Sequence, residues 1–208
     1  MPDKSAFITF LVASCLLNLA PGPDMLYVMG RSIGQGRKAG IVSALGIFAG
    51  TLVHITLAAI GLTAVLRSSP VAFNIIRYAG VAYLVYLGVR LLVQRNSQLG
   101  AANLPQVSLR SVFSQGVLTN VLNPKVALFF LAFLPQFVNA HSGNTIWNIV
   151  SLGMIFNTGG ALVNLAVAGT GGFLGNALRR NPRIGRIQQR FTGAIFLGLG
   201  LRLGFSHR

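Results

Sequence analysis

The feature that most constrains the fold is a series of apolar runs, each about 20 residues long, that recurs along the whole chain. A run of this length forms a helix that spans the hydrocarbon core of a bilayer, whereas the sequence lacks the short alternating segments of a membrane barrel. Charged residues make up only 9% of the chain, against roughly 25% in soluble domains. The sequence therefore predicts an all-α integral membrane protein.

Six transmembrane helices are predicted, and they form a single transmembrane domain over residues 1–208. The polar stretch 94–111 is the only long connection, and it divides the domain into a first half of about 5–93 and a second half of about 112–205. The predicted spans are residues 6–29, 40–66, 71–93, 112–137, 146–174 and 188–205.

The two halves resemble each other at three places that fall in the same order. The sequence RYAGVAYL at 77–84 matches RFTGAIFL at 190–197, LGIFAGT at 45–51 echoes LGMIFNT at 152–158, and LNLAPGP at 17–23 echoes TNVLNPK at 119–125. Chance recurrence of glycine, leucine and aromatic residues accounts equally well for the last two, but the first aligns an arginine at the start of each third helix. Because each half has three helices, the second copy enters the membrane from the opposite side, which predicts an inverted repeat of the kind found in secondary transporters.

The basic residues predict the orientation of the chain. A net charge of +15 would suggest nucleic-acid binding in a soluble protein, but here the basic residues lie between the apolar runs, where they mark cytoplasmic loops. Five basic residues fall on one side of the membrane and eleven on the other, so the second side is predicted to be cytoplasmic and both termini to lie outside. The eleven are Arg31, Arg37, Lys38, Arg90, Arg95, Arg110, Arg179, Arg180, Arg183, Arg186 and Arg190.

The first span is interrupted by the segment NLAPGPDMLYV at 18–28, which contains Pro21, Gly22 and Pro23. A helix ending at Ala20 would be only about 22 Å long, short of the bilayer core of about 30 Å, and the apolar sequence resumes after Asp24. The proline break is therefore predicted to lie inside the membrane.

A matching break is predicted in the fourth span, where NVLNPKVALFF places Asn123 and Pro124 in an apolar run. Proline removes a backbone donor, and unpaired carbonyls in hydrocarbon cost several kcal/mol each, so such backbone persists only inside protein or beside a wet cavity. Two broken helices at equivalent places in two inverted halves predict a substrate site.

Asp24 and Lys125 lie at these two breaks, and an ionised group at the bilayer centre costs about 2.5–3.5 kcal/mol. One explanation is a structural ion pair between two helices, or snorkelling. The other is that both charges line the solute path, where they match a substrate that carries an ammonium and a carboxylate. Backbone N–H groups after Pro23 and Pro124 would then favour the carboxylate, and carbonyls near 18–20 and 120–123 would accept from the ammonium.

Several uncharged or weakly basic side chains within the spans are further candidates. Asn120 and Asn123 lie beside the second break and favour a cavity role, whereas Asn18 and Asn157 fit a cavity or a helix–helix hydrogen bond equally well. His54 suits a proton relay, although a packed, hydrogen-bonded histidine is the more common case, and Tyr27 lies close enough to the first break to face solute. Three scattered histidines and one cysteine give no metal-ligand spacing, and no cofactor is predicted.

The motifs APGPD, LTNVLNPKVALFFLAFLPQF and RYAGVAYLVYLGVRLL resemble the lysine/threonine exporter superfamily of bacterial amino-acid efflux proteins, on its homoserine–threonine–leucine exporter branch. The resemblance covers essentially the whole chain and implies a proton-driven inner-membrane exporter of neutral or hydrophobic amino acids. The chain departs from it in the fifth helix, where relatives often carry an acidic residue and IFNTGG places Asn157 or Thr158. That departure counts against either a fifth-helix proton site or a preference for cationic substrates.

The function predicted from these features is proton-coupled export of small neutral amino acids. Asp24 would bind the proton or the ammonium, and Lys125 would either neutralise the substrate carboxylate or set the pKa of Asp24. The partners are the amino acid, protons and the lipid bilayer, with no nucleic acid, and a homo-oligomer is left open. No enzyme motif such as G-x-S-x-G, H-E-x-x-H or a phosphate-binding loop occurs, so no enzymatic activity is predicted. The alternatives are a passive facilitator for small solutes and a membrane scaffold that transports nothing.

Overall fold

The computed structural model describes residues 4–62, 70–93, 105–138 and 144–180, together with helical residues at 187, 190–191, 193–198 and 200–201. All regular elements in these ranges are helical, which confirms the all-α class. The helices are α1 Lys4–Leu19, α2 Pro23–Gln35, α3 Arg37–Leu57, α4 Pro70–Val93, α5 Leu109–Val121, α6 Pro124–Leu128 and α7 Thr145–Arg180. A π-helical turn, Ala58–Leu62, extends α3. A second π-helical turn, Phe129–Phe133, and a 3₁₀ turn, Leu134–Phe137, extend α6.

Two of the described helices are long and apolar enough to cross a membrane, namely α3 with its π turn over 37–61 and α7 over 145–170. The number rises to four if α1 with α2, and α5 with α6 and its extension, each form one bent span. These two pairs bend by 43° and 45°, and the bends lie at the proline breaks predicted from the sequence. The predicted sixth span, 188–205, is described only in part, and the six-helix inverted repeat stays a prediction.

Helices α3 and α5 cross in direct backbone contact, and this crossing positions one wall of the site. A methyl group added at Gly46 would collide with the carbonyl oxygen of Phe113, and one added at Gly50 would lie 2.8 Å from the carbonyl oxygen of Val117. Small residues at such a crossing allow the backbones of two membrane helices to approach closely. The approach brings Thr51, one residue after Gly50, against Asn120 near the end of α5.

The two proline breaks lie between two buried apolar clusters. The first cluster contains seven phenylalanines and joins α1, the extension of α6 and α7, with Phe129 stacked on Phe156 at a centroid distance of 4.0 Å. The second joins α2, α3 and α7 around Val28, Ile47 and Val167. Asp24, Asn120 and Asn123 are buried polar residues at the breaks, where helical hydrogen bonding is interrupted.

Candidate functional site

The break between α1 and α2 exposes backbone carbonyls that no helical donor can reach. In a continuous helix, the carbonyl of Leu17 would accept from the N–H of residue 21, but that residue is proline and has no N–H. Lys125 supplies the missing donor, since its Nζ lies 3.1 Å from the carbonyl oxygen of Leu17 and 3.0 Å from that of Ala20. A cation from the second broken helix therefore caps the end of the first.

The second break follows the same rule, because Pro124 leaves the carbonyl of Asn120 without its helical donor. That oxygen accepts instead from the backbone N–H of Asn123 at 2.9 Å and from Nε2 of His54 at 3.1 Å. The side-chain oxygen of Asn123 then caps α6 by accepting from the backbone N–H of Lys125 at 3.0 Å. The sequence predicted that N–H groups after Pro124 would be open to a substrate carboxylate; in this conformation Asn123 occupies them.

Asp24 lies in the first turn of α2, directly after Pro23, and is 8% exposed. Its Oδ2 accepts a hydrogen bond of 2.9 Å from the amide nitrogen of Asn120, whose own oxygen accepts from the hydroxyl of Thr51 at 3.2 Å. Its Oδ1 is buried and has no hydrogen-bond partner among the described residues. A buried carboxylate oxygen without a donor is costly, so this atom is the natural point of attachment for a proton or an ammonium.

The two charges interact electrostatically, but their hydrogen bonds go to different partners: two carbonyls for Lys125 and an amide for Asp24. Both line a cavity of about 20 Å³ between the two breaks. The other residues that line it are Asn18, Met25, Ile47, Phe48, Thr51, Asn120, Val126, Phe156, Asn157, Gly160, Ala161 and Asn164.

The remaining residues predicted from the sequence divide into cavity-lining and peripheral positions. Asn18 and Asn157 line the cavity and also bridge helices, donating to the carbonyl oxygens of Phe156 at 3.0 Å and Phe48 at 3.2 Å. Thr158 is exposed and does not line the cavity. Pro21, Gly22, Pro23, Asn123 and Pro124 shape the two breaks.

Tyr27 and His54 lie behind the cavity wall rather than in it. The hydroxyl of Tyr27 donates to the carbonyl oxygen of Val112 at 2.8 Å, which joins α2 to α5. The ring of His54 stacks on Phe130 with an interplanar angle of 10° while its Nε2 donates to the backbone oxygen of Asn120. The contacts of both are those of packed, hydrogen-bonded side chains.

Sequence reasoning missed two parts of the site. Nothing local distinguishes Thr51 and the apolar lining residues from other residues of an apolar span, so the sequence does not indicate them as site residues. The sequence indicates Arg31 only as a topology signal, yet its side chain is 2% exposed. It donates to the side-chain oxygens of Gln35 and Gln115, each at 2.6 Å, and to the carbonyl oxygen of Pro105 at 2.8 Å. We call Arg31 and these three partners the Arg31 cluster.

Two groups of side chains lie on either side of the cavity along the helices. On one side, Phe156 lines the cavity and stacks on Phe129, and we call these two rings with their apolar neighbours between α1, α6 and α7 the aromatic layer. On the other side lies the Arg31 cluster, since Arg31 is seven residues beyond Asp24 on α2, or about 10 Å at 1.5 Å per residue.

The amino-acid sequence is similar to those of a known protein family and of several known proteins. The family model of the LysE type translocator matches residues 15–207. Curated leucine efflux proteins of Salmonella choleraesuis and Enterobacter sp. are each 29% identical to the chain, over 94% of it and 92% of the former, and over 97% of it and 96% of the latter. An uncharacterised membrane protein of Pseudomonas aeruginosa is 33% identical over 95% of the chain and 94% of its own length. No solved structure shows significant similarity to the chain.

Proposed function

Because the chain belongs to the LysE type translocator family, and so is a membrane transporter rather than an enzyme, we propose that it exports small neutral or hydrophobic amino acids from the cytoplasm in exchange for protons. The relatives named for leucine efflux support amino-acid export as the general activity. The observation that carries the finer proposal is Asp24, which lines the cavity at the paired helix breaks and whose buried Oδ1 has no hydrogen-bond donor among the described residues.

The lining of the cavity supports a neutral, apolar substrate. Its charged groups are one carboxylate and one ammonium, which match the two charges of an amino-acid backbone and leave no charge for a side chain. Apolar side chains, among them Ile47, Val126 and Phe156, complete the wall and suit an aliphatic substrate side chain. Asn157 lies on α7, in the predicted fifth span, at the position where an acidic residue would favour cationic substrates. Its amide donates a hydrogen bond to the carbonyl oxygen of Phe48.

We propose that the Arg31 cluster and the aromatic layer act as the two gates of alternating access. Movement of the Arg31 cluster would admit substrate from the side predicted to be cytoplasmic, and movement of the aromatic layer would release it on the other side. We assign the motion to one inverted three-helix repeat rocking against the other, in a bacterial inner membrane with both termini outside. A proton or an ammonium on Asp24 neutralises the buried charge, and this requirement couples the two fluxes.

The deciding experiment is efflux from proteoliposomes loaded with a panel of amino acids, with and without an imposed pH gradient, for the wild type and Asp24→Asn. Efflux of a few neutral amino acids that the gradient stimulates, and that the substitution abolishes, is the expected result. Ser114→Ala is the matched control, because this exposed hydroxyl bonds only to the carbonyl of Arg110 one turn earlier on α5. Efflux at a rate that depends on neither the gradient nor the substitution would identify a passive facilitator. If no amino acid were exported, the remaining alternative would be a membrane scaffold that transports nothing.

A further inference from the structure

The ammonium of Lys125 occupies a site that is chemically suited to a different cation. Its two acceptors are the carbonyl oxygens of Leu17 and Ala20, which are open because the helix breaks at Pro21. Asp24, four residues after Ala20, interacts with this ammonium electrostatically without hydrogen-bonding to it. An ammonium has three N–H donors and a positive charge, so two carbonyl oxygens beside a carboxylate suit the α-ammonium of an amino acid as well as they suit a lysine.

The backbone at the break is shaped around the lysine side chain. A methyl group at Gly22 would stand 3.2 Å from Nζ and 3.4 Å from Cε of Lys125, so the side chain lies against a residue that has none. The φ of −161° at Gly22 is extended backbone that other residues also adopt, so this position can be tested by substitution. Because Nζ of Lys125 already takes both carbonyl oxygens, a substrate ammonium cannot bind them while Lys125 stays in place.

We propose that the carbonyls of Leu17 and Ala20, together with Asp24, form the ammonium subsite of the carrier, and that Lys125 occupies this subsite when no substrate is bound. The substrate ammonium replaces that of Lys125, and the displaced lysine then pairs with the substrate carboxylate. Lys125 thus acts as a tethered competitor that compensates the charge of Asp24 in the empty carrier. This inference rests on the proposed function and specifies which atoms of the site hold which end of the substrate.

The inference predicts how ligands with only one charged end bind. Leucinamide keeps the ammonium and replaces the carboxylate with an uncharged amide, so in the wild type it must displace Lys125 without offering it a partner. In Lys125→Gln this competition is gone, and leucinamide should bind about tenfold more tightly than in the wild type, equivalent to about 1.4 kcal/mol. N-acetyl-leucine, which keeps only the carboxylate, should bind more weakly to the same variant.

A second variant keeps the lysine charge and moves it. In Gly22→Ala the added methyl presses against Nζ, so leucinamide affinity should rise in the same direction as in Lys125→Gln. Gly169→Ala is its matched control, because a methyl at Gly169 meets no atom of the described residues within 4 Å. Lys38→Gln serves the same purpose for Lys125→Gln, because it removes an exposed basic residue at the start of α3.

The experiment is titration of purified wild type and the four variants with leucinamide and with N-acetyl-leucine, each protein first verified as monodisperse in detergent. Tighter leucinamide binding in Lys125→Gln or Gly22→Ala, with both controls unchanged, supports the subsite. Unchanged or weaker leucinamide binding in the variants that fold shows that Lys125 is only a helix cap and overturns the inference. If wild-type vesicles export no amino acid, the proposed function fails; if they export leucine and leucinamide binding is unchanged, the inference fails alone.

Discussion

The side-chain amide of Asn120 donates a hydrogen bond of 2.9 Å to Oδ2 of Asp24, across 96 positions of sequence. The bond joins the last turn of α5, just before the second break, to the first turn of α2, just after the first break. Because the amide oxygen of Asn120 also accepts from Thr51, three helices meet at this side chain. The asparagine therefore fixes the carboxylate relative to both breaks.

Replacing Asn120 with alanine should destabilise the protein and abolish gradient-driven efflux. The substitution removes the donor to a buried carboxylate, and a buried polar group without a partner costs about 1–3 kcal/mol, more when it is charged. Unfolding in detergent micelles, followed by heat or denaturant, measures the first effect, and proteoliposome efflux measures the second. Ser114→Ala, on the same helix but exposed, should leave both unchanged. Wild-type stability in Asn120→Ala would show that the bond to Asp24 is dispensable.

Arg31 should matter for its hydrogen bonds and not for its charge at the membrane surface. In Arg31→Ala the side-chain oxygens of Gln35 and Gln115 and the carbonyl of Pro105 lose charged donors, and hydrogen bonds to charged groups contribute about 1.5–3 kcal/mol each. We expect a lower unfolding temperature and faster proteolytic cleavage near residues 105–108. Arg31→Lys should recover only part of the loss, because an ammonium lacks the planar fork of a guanidinium.

Lys38→Ala separates this effect from the charge pattern that orients the chain. Lys38 is exposed at the start of α3, so its loss removes the same charge from the same end of the helices without breaking a buried hydrogen bond. Its unfolding temperature and cleavage rate should match the wild type. Equal destabilisation by Arg31→Ala and Lys38→Ala would contradict a specific role for the Arg31 cluster.

His54 should prove to be a hydrogen-bond donor and not a proton relay. Its Nε2 donates to the carbonyl that Pro124 leaves open, and glutamine can donate in the same way without titrating. His54→Gln should therefore keep its response to the pH gradient. His54→Phe keeps a ring to stack on Phe130 but loses the donor, and should lose about 1 kcal/mol of stability. Loss of the pH response in a folded His54→Gln protein would instead make this histidine part of the coupling path.

The breaks and their charges could be predicted from the sequence because proline has a local and unconditional effect. Pro21 and Pro124 remove a donor from whatever helix contains them, so the carbonyls of Leu17 and Asn120 had to find other partners. Which partner each carbonyl takes is a matter of tertiary packing. The sequence suggested that Lys125 either pairs with Asp24 or faces the solute, and its bonds to Leu17 and Ala20 depend on how the two broken helices lie against each other.

Arg31 and Thr51 show what a pattern of residues cannot convey. Arginine near the end of an apolar run is typical of a surface topology signal, and its burial here depends on residues 105–115 folding over it. Threonine is unremarkable in a membrane helix, and Thr51 enters the site only because α3 and α5 touch at the neighbouring Gly50. Glycines four residues apart, such as Gly46 and Gly50, are typical of close helix packing, but the spacing alone does not identify the helix that they contact.

The contact at Gly50 leads to a direct test of how closely α3 and α5 must approach. A methyl group there would lie 2.8 Å from the carbonyl oxygen of Val117 and 2.8 Å from Cβ of Asn120, so backbone must shift to admit it. We expect Gly50→Ala to cost about 1–3 kcal/mol of stability, as overpacking of close contacts does, and to lower efflux by displacing Asn120 from Asp24.

Gly169→Ala is the matched control in a helix of the same protein, because its methyl would meet none of the described residues within 4 Å. Alanine favours the helix over glycine by about 0.8–1 kcal/mol, so this substitution should be neutral or stabilising. Unfolding temperatures and efflux rates of the two variants, measured side by side, separate the close crossing from the intrinsic preference of alanine for a helix. If Gly50→Ala were as stable and active as Gly169→Ala, the crossing of α3 and α5 would not determine the position of Asn120.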